Sequence, residues 1–312
     1  MTTPQARMVA LAMQLAPNEG YTESLVDGVT LMRSNRPLSQ TQALYEPSIV
    51  IVIQGRKQGM HGGELYVYDA QHYLVLSVPL PFTTETQASE AEPMLGIALR
   101  IDPTMTAELA ISIDANVSDS EAPKSLYASK LDEKLSDATL RLLEVLSSPL
   151  EAKLLGPAIY REITYRVLTG DQGGALRAAL QQGSNFGRIA KVLRRIHAHY
   201  NRDLDVTTLA DEANLSVSAF HAYFKSITTT SPIQYIKTIR LHQARLMMIR
   251  KGLSVASASE EVGYESPSQF SREFKRLFGR TPVNEVQHLK ELFVVTPLSG
   301  KQTNSHANNE WS

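Results

Sequence analysis

Two short sets of side chains in the last third of the chain have the types and spacing to recognise something. Ser268, Gln269 and Arg272 fall within about one helical turn, and Ser218, His221 and Ala222 occupy the matching stretch fifty positions earlier. A Gln carboxamide can pair with the edge of adenine and an Arg guanidinium with that of guanine, while Ser and His offer single hydrogen bonds. Lys225, Lys275 and Arg276 follow closely and suit phosphate, a contact that positions without specifying sequence. Bond-making chemistry has no comparable candidates. With no cysteine there is no disulfide, thiolate metal site or thiol nucleophile. The chain has no phosphate loop, nucleophile elbow or paired acid/base motif, so it reads as a binder and not an enzyme.

The elements that must hold these residues are written twice. Ser216-Val-Ser-Ala-Phe220-His-Ala-Tyr-Phe224-Lys225 recurs as Ser266-Pro-Ser-Gln-Phe270-Ser-Arg-Glu-Phe274-Lys275, and Ser231-Pro232 as Thr281-Pro282. In the first copy Asp205 is placed to cap a helix from Val206, with Leu209 and Ala213 on its inner face. Asn214 suits a left-handed break, Leu215 plugs the turn, and Ser216 caps a second helix whose Phe220, Tyr223 and Phe224 point inward. Helix, short turn, helix is the helix-turn-helix arrangement. The second copy puts Val255, Val262, Gly263, Tyr264, Ser266, Phe270 and Phe274 in the same roles. Between them Pro232 opens a long helix to about Arg250 that fixes the separation of the units. Two units so joined can enter successive major grooves, roughly 34 Å apart.

Charge divides along the same line. Positions 186–290 hold 16 Lys+Arg against 9 Asp+Glu, and the rest of the chain 15 against 23, within a net charge of −1. A basic third on an acidic two-thirds fits a nucleic-acid-binding module joined to a partner that does not bind nucleic acid.

Upstream, residues 1–20 read as an amphipathic helix ending near Pro17 to Gly20. From Tyr21 to about Asp114 short β-type runs alternate with turns. Ser48 to Ile53 is a continuous apolar run suited to a sheet interior, followed by Glu64 to Tyr68, Tyr73 to Val78 and Met94 to Ile101, which together indicate a small barrel or jelly roll. Lys130 to Leu146 and Pro157 to Thr169 read as a helical pair, a dimer surface or a lid. The boundary between the halves falls among Gly170–Gly174 and Gln181–Asn185. His61 and His72 stand eleven apart without a His-x-His pair, so they read as turn histidines and no metal or other cofactor is expected. Glu46, Arg56 and Tyr68 are candidate linings of a small-molecule pocket. No apolar run is long enough to span a membrane.

Taken together, Leu209-Ala210, Ser216, Phe224-Lys225, Ser231-Pro232, Tyr235, Arg240, Ala244, Val262-Gly263-Tyr264, Ser266, Phe270, Arg272, Phe274-Lys275-Arg276, Phe278-Gly279 and Thr281-Pro282 resemble the AraC/XylS family DNA-binding domain. The segment Leu44 to Ser48, Gln54 to Lys57 and Tyr68 to Val78 is similar to the cupin-like N-terminal domain of one branch of that family. This sequence has Asn214 where the family usually has Gly, Ala258-Ser259 where Ile-Ala is usual, and Ala222 where many members carry Arg.

The expectation is an α+β protein: a cupin-like β-barrel with a helical pair over 1–180, an all-α double helix-turn-helix domain over 186–290, and a tail over 291–312. The resemblance implies a transcription regulator, activator or repressor, that binds double-stranded DNA, engages RNA polymerase and uses its N-terminal domain to sense a small-molecule effector, to form a homodimer, or both; the lack of cysteine fits the cytoplasm. The alternatives are a cupin-type metal-dependent enzyme or sensor fused to a DNA-binding domain, and a nucleoid-type binder without sequence preference.

Overall fold

The computed structural model describes residues 3–114, 122–181 and 183–292. Helix α1 (Pro4–Leu15) opens on Thr3, whose hydroxyl accepts from the Ala6 amide, and buries Met8 and Ala12. Ten strands follow: β1 (Gly20–Glu23), β2 (Val29–Ser34), β3 (Leu38–Tyr45), β4 (Ser48–Gln54), β5 (Arg56–His61), β6 (Glu64–Asp69), β7 (His72–Leu76), β8 (Leu80–Gln87), β9 (Met94–Arg100) and, after helix α2 (Pro103–Asp114), β10 (Leu126–Lys130). They form a six-stranded sheet in the order β1-β2-β9-β4-β7-β10 and a four-stranded sheet in the order β3-β8-β5-β6.

The apolar run at Ser48 to Ile53 is explained by β4 lying between β7 and β9, covered on both faces. Ile49, Ile51 and Ile53 pack toward the helices, whereas Val50 and Val52 join Tyr68, Leu74 and Phe82 on the side of the smaller sheet. Period-two alternation thus serves two cores at once, which is why no polar residue interrupts it. The expected cupin-like barrel takes the form of two facing sheets, and among the described residues no strand pairing closes one onto the other.

Two expectations are corrected here. The helix expected from Lys130 begins only at Glu133, because Lys130 ends strand β10, whose Leu126, Tyr127 and Ser129 are buried and which pairs with β7. The second helix of the pair begins earlier than Pro157. After α3 (Glu133–Leu146), Ser148 caps α4 (Pro149–Thr169) with Pro149 in its first turn, and Pro157 is carried inside. A proline read as a starting signal is therefore an interior residue. The pair itself is present, with Leu142, Leu143, Ile163 and Val167 fully buried.

The C-terminal part is helical: α5 (Gly173–Leu180), α6 (Asn185–His199), α7 (Val206–Glu212), α8 (Val217–Thr228), α9 (Pro232–Arg250), α10 (Val255–Glu261), α11 (Pro267–Phe278) and α12 (Pro282–Leu292). Most of the sequence-predicted tail lies outside the described residues. One apolar cluster runs from Leu74, Leu76, Val78 and Phe82 of the sheet domain into Phe220, Phe224 and Tyr235 of the helices, and a second gathers α9, α10, α11 and the turn carrying Val262 and Tyr264.

Candidate nucleic-acid interface

Each repeat builds the same device. Asp205 and Ser254 cap the leading helices, accepting from the Thr208 and Ser257 amides at 2.9 and 3.1 Å. Ser216 and Ser266 cap α8 and α11 through the Ala219 and Gln269 amides, both at 3.3 Å. Between the paired helices the chain turns left-handed, at Asn214 (φ 50°) in one unit and Gly263 (φ 81°) in the other. Leu215 then donates its amide to Ala210 and Tyr264 to Ser259, both at 3.0 Å, closing the same turn. Asn tolerates this conformation, which fits Asn214 standing where Gly is usual. At Gly263 the demand is double, because a Cβ there would lie 2.7 Å from the Asn201 carbonyl oxygen.

The inward faces match as well. Phe220 and Phe224 lie 5.5 Å apart between ring centroids, with Tyr235 edge-on to Phe224 at 5.4 Å. Phe270 and Phe274 repeat the 5.5 Å spacing, with Tyr264 edge-on to Phe270 at 5.3 Å. All four phenylalanines are fully buried. Tyr223 departs from expectation: it is 38% exposed, because α8 packs on the side carrying Phe220, Phe224 and Ile227 and leaves Tyr223 at the rim.

With one side of each helix committed to packing, the other faces outward. Ser218, His221, Ala222 and Lys225 are exposed on α8, and Ser268, Gln269, Arg272, Lys275 and Arg276 on α11. Gln269, Arg272 and Arg276, with Glu273, line a shallow surface groove. Among the described residues no carboxylate neutralises Lys225, Arg272, Lys275 or Arg276. The groups the sequence assigned to readout and to phosphate are thus brought onto corresponding faces of two like helices.

The side chains that, with the long helix α9, fix one unit relative to the other were not assigned from sequence. Arg240 of α9 donates from Nε to the Tyr200 carbonyl at 2.7 Å, from Nη1 to Gly263 at 3.0 Å and from Nη2 to Arg202 at 2.8 Å. It ties the end of the first unit's α6 to the turn of the second. Glu273, on α11, is a second joint. It accepts from Lys237 Nζ and Tyr264 Oη at 2.7 Å each, and from Gln269 Nε2 at 3.2 Å. Burial pushes the Glu273 carboxyl up, but the Lys237, Tyr264 and Gln269 hydrogen bonds outweigh it and hold the group below its ordinary value. A depressed folded-state value means that this contribution is complete above the unfolded glutamate value and is lost as pH falls through the folded one. Denaturation of wild type and Glu273→Gln as a function of pH is therefore expected to show curves that converge below the ordinary value of 4.5. Parallel curves down to lower pH would contradict the assignment.

The candidate effector residues are not gathered in one place. Tyr68 is fully buried between the sheets, whereas Arg56 is exposed on β5 and its neighbour Lys57 points inward. Glu46 lies at the junction with the helical part, its Oε1 3.4 Å from Nδ1 of His197. His61 is buried in the β5–β6 turn against the C-terminal end of α8, and its Nε2 has no partner. His72 meets Asp69 at 2.9 Å. Among the described residues no three His, Asp or Glu side chains converge as a metal site would require.

A paired helix-turn-helix body on a sheet-rich domain defines a class of gene regulator, and comparison with known proteins agrees. A family model described as AraC-type transcriptional regulator N-terminus matches residues 25–175, and one described as Helix-turn-helix domain matches residues 209–285. The chain belongs to the AraC/XylS family of transcriptional regulators.

Among curated relatives, the Msm operon regulatory protein of Streptococcus mutans is 32% identical over 94 residues, covering 30% of this chain and 34% of that one. The HTH-type transcriptional regulator AlkR of Acinetobacter baylyi is 33% identical over 94 residues, 30% of this chain and 31% of its own. The chain spans about a third of the length of these relatives. Among solved structures, a point variant of apo ToxT from Vibrio cholerae superposes with a TM-score of 0.59 at 11% identity, over 86% of this chain and 98% of that one. Wild-type ToxT bound to an unsaturated fatty acid gives 0.58 at 12%, over 86% and 96%. At such identity the likeness concerns the fold alone.

Proposed function

We propose that this protein is a sequence-specific DNA-binding transcription regulator whose two helix-turn-helix units read successive turns of one duplex. The observation that carries the reading is the pairing of α8 and α11: same caps, same buried Phe pairs, and exposed faces bearing Ser218, His221 and Lys225 on one and Gln269, Arg272 and Lys275 on the other. Ser218, His221, Ala222, Ser268, Gln269 and Arg272 face base edges; Lys225, Lys275 and Arg276 take phosphate. We take 186–290 as the DNA-binding domain and 1–180 as a cupin-like domain that receives a small-molecule effector and forms a homodimer. The remaining parts of the proposal are work in the cytoplasm as an activator that engages RNA polymerase, without catalysing a reaction. A fatty-acid-bound structure of ToxT supports the effector half by analogy of fold.

Phosphate contacts separate from base contacts by salt. Lys275→Ala is expected to weaken binding to all duplexes alike and to lower the slope of log affinity against log salt by about one. An unchanged slope with an altered base preference would move Lys275 to the base-reading set. The reading as a whole is tested by selecting bound sites from random duplexes with the full-length protein. A bipartite motif is expected, and enrichment of no motif would return the protein to a binder without sequence preference.

A further inference from the structure

The interior of the N-terminal domain holds a cationic side chain that DNA recognition does not use. Along β5 the side chains alternate, and Lys57 points between the sheets with 6% of its surface exposed. Strand register places Thr86 of β8 directly opposite on one side and Tyr68 of β6 on the other. The Lys57 Nζ donates to Thr86 Oγ1 at 3.1 Å, and among the described residues no carboxylate faces it. Tyr68 is completely buried with Tyr45 beside it, and its hydroxyl makes no hydrogen bond of normal geometry.

The other ionisable groups here are Tyr21 of β1, Tyr45 of β3 and Arg245 of α9, whose charge is taken up by Glu285 at 3.3 Å. Tyr21 keeps 64% of its surface accessible although its hydroxyl lies among Tyr45, Lys57 and Arg245. Its phenol is thus one of the groups gathered about the lysine.

A buried ammonium without a counter-ion is costly, and an apolar residue of the same length would be tolerated at lower cost. Burial holds the Lys57 ammonium below the ordinary lysine value, so more of it is present as free amine than at an exposed lysine. A free amine in a water-poor site is a nucleophile for carbonyl carbon.

We propose that Lys57 is a capture site for small aldehydes, which it takes as an imine. The amine nitrogen bonds to the carbonyl carbon as the carbonyl π bond opens onto oxygen, and a proton passes from nitrogen to that oxygen to give a carbinolamine. Tyr21, the phenol whose charge acts on this amine, protonates the departing hydroxyl. The C–O bond breaks, water leaves, the C=N bond forms, and the remaining proton on nitrogen returns to the phenolate. Nothing is oxidised or reduced. The inference rests on the effector-sensing half of the reading above, since Lys57 lies beneath the strands that meet α9.

The test uses the full chain at pH 7 with limiting butanal and sodium cyanoborohydride, followed by peptide mass mapping. The butyl adduct is expected on residue 57 before it appears on exposed Lys153 or Lys251, because burial leaves more of this amine unprotonated. Lys57→Met abolishes it, and so does Lys57→Arg, which keeps a cation in place and serves if the Met variant is unstable. Adducts spread over exposed lysines with residue 57 unmodified would overturn the proposal. So would saturable, reductant-independent binding of butanoate that Lys57→Met removes, which marks a carboxylate site. Labelling is read without DNA, so capture by a protein that binds no duplex would leave Lys57 standing and sink the regulator reading.

Discussion

Arg245→Met is expected to cost about 3–5 kcal/mol of folding stability, toward the lower end because a partial substitute partner remains. Arg245 is 9% exposed on α9 and Glu285 4% exposed on α12, with Nη1 and Oε1 3.3 Å apart. The same guanidinium lies 4.4 Å over the Phe278 ring and donates from Nη2 to the Gln42 carbonyl of β3 at 2.8 Å. Removing it strands Glu285 in the interior, with only Arg280, among the described residues, at 3.4 Å to answer its charge. Three things then fail together: the second unit loses its internal ion pair, Phe278 its stacked cation, and β3 its tie to α9. Equilibrium denaturation of the full chain measures the cost. A loss below ~1 kcal/mol would mean that the pair is already solvated and that α9 is held to the sheets by other contacts, foremost Tyr235, whose hydroxyl donates at 2.7 Å to the carbonyl of Pro79, just before β8.

The second large effect is on specificity. Arg272→Ala is expected to relax base preference at the position read by α11 and to cost about 1–3 kcal/mol on the preferred duplex while leaving stability unchanged. Arg272 is exposed, has no ion-pair partner among the described residues, and lies one turn from Gln269 on the face opposite Phe270 and Phe274. The corresponding position of α8 is Ala222, with Ser218 and His221 beside it, so the first unit has no guanidinium to lose. Specificity should therefore lean on the second unit. Comparing the motif selected by wild type with that selected by Arg272→Ala decides this; identical motifs would show that Arg272 touches phosphate only.

The helical half was readable because its signals are local. Caps three residues from the amides they satisfy, a left-handed Asn or Gly, and Phe at i and i+4 are all contained within a dozen residues. The sheet half was less so, for a specific reason. In β5 the usual parity is inverted: Met60 is 46% exposed while Lys57 and His61 are buried, so a rule that places apolar residues inside selects the wrong face. Arg56 is a candidate pocket residue in the sequence, yet the residue paired with Tyr68 is its neighbour Lys57. Tyr68 was identifiable by type, but not that its hydroxyl would lack a partner. Contacts such as Arg245 with Gln42, 203 positions apart, leave no trace in any local window. The same holds for Arg240 and Glu273, whose roles depend on which carbonyls and side chains the fold brings to them.

Two reading heads held at a fixed spacing by α9 and by the Arg240 and Glu273 joints are the centre of this mechanism. The most direct test is the footprint and selected motif of the full-length protein on duplex DNA. Two half-elements are expected with centres about 10 base pairs apart on one face of the helix, one more tolerant of substitution and one read strictly. A single half-element, or two whose spacing varies freely among bound sites, would contradict it.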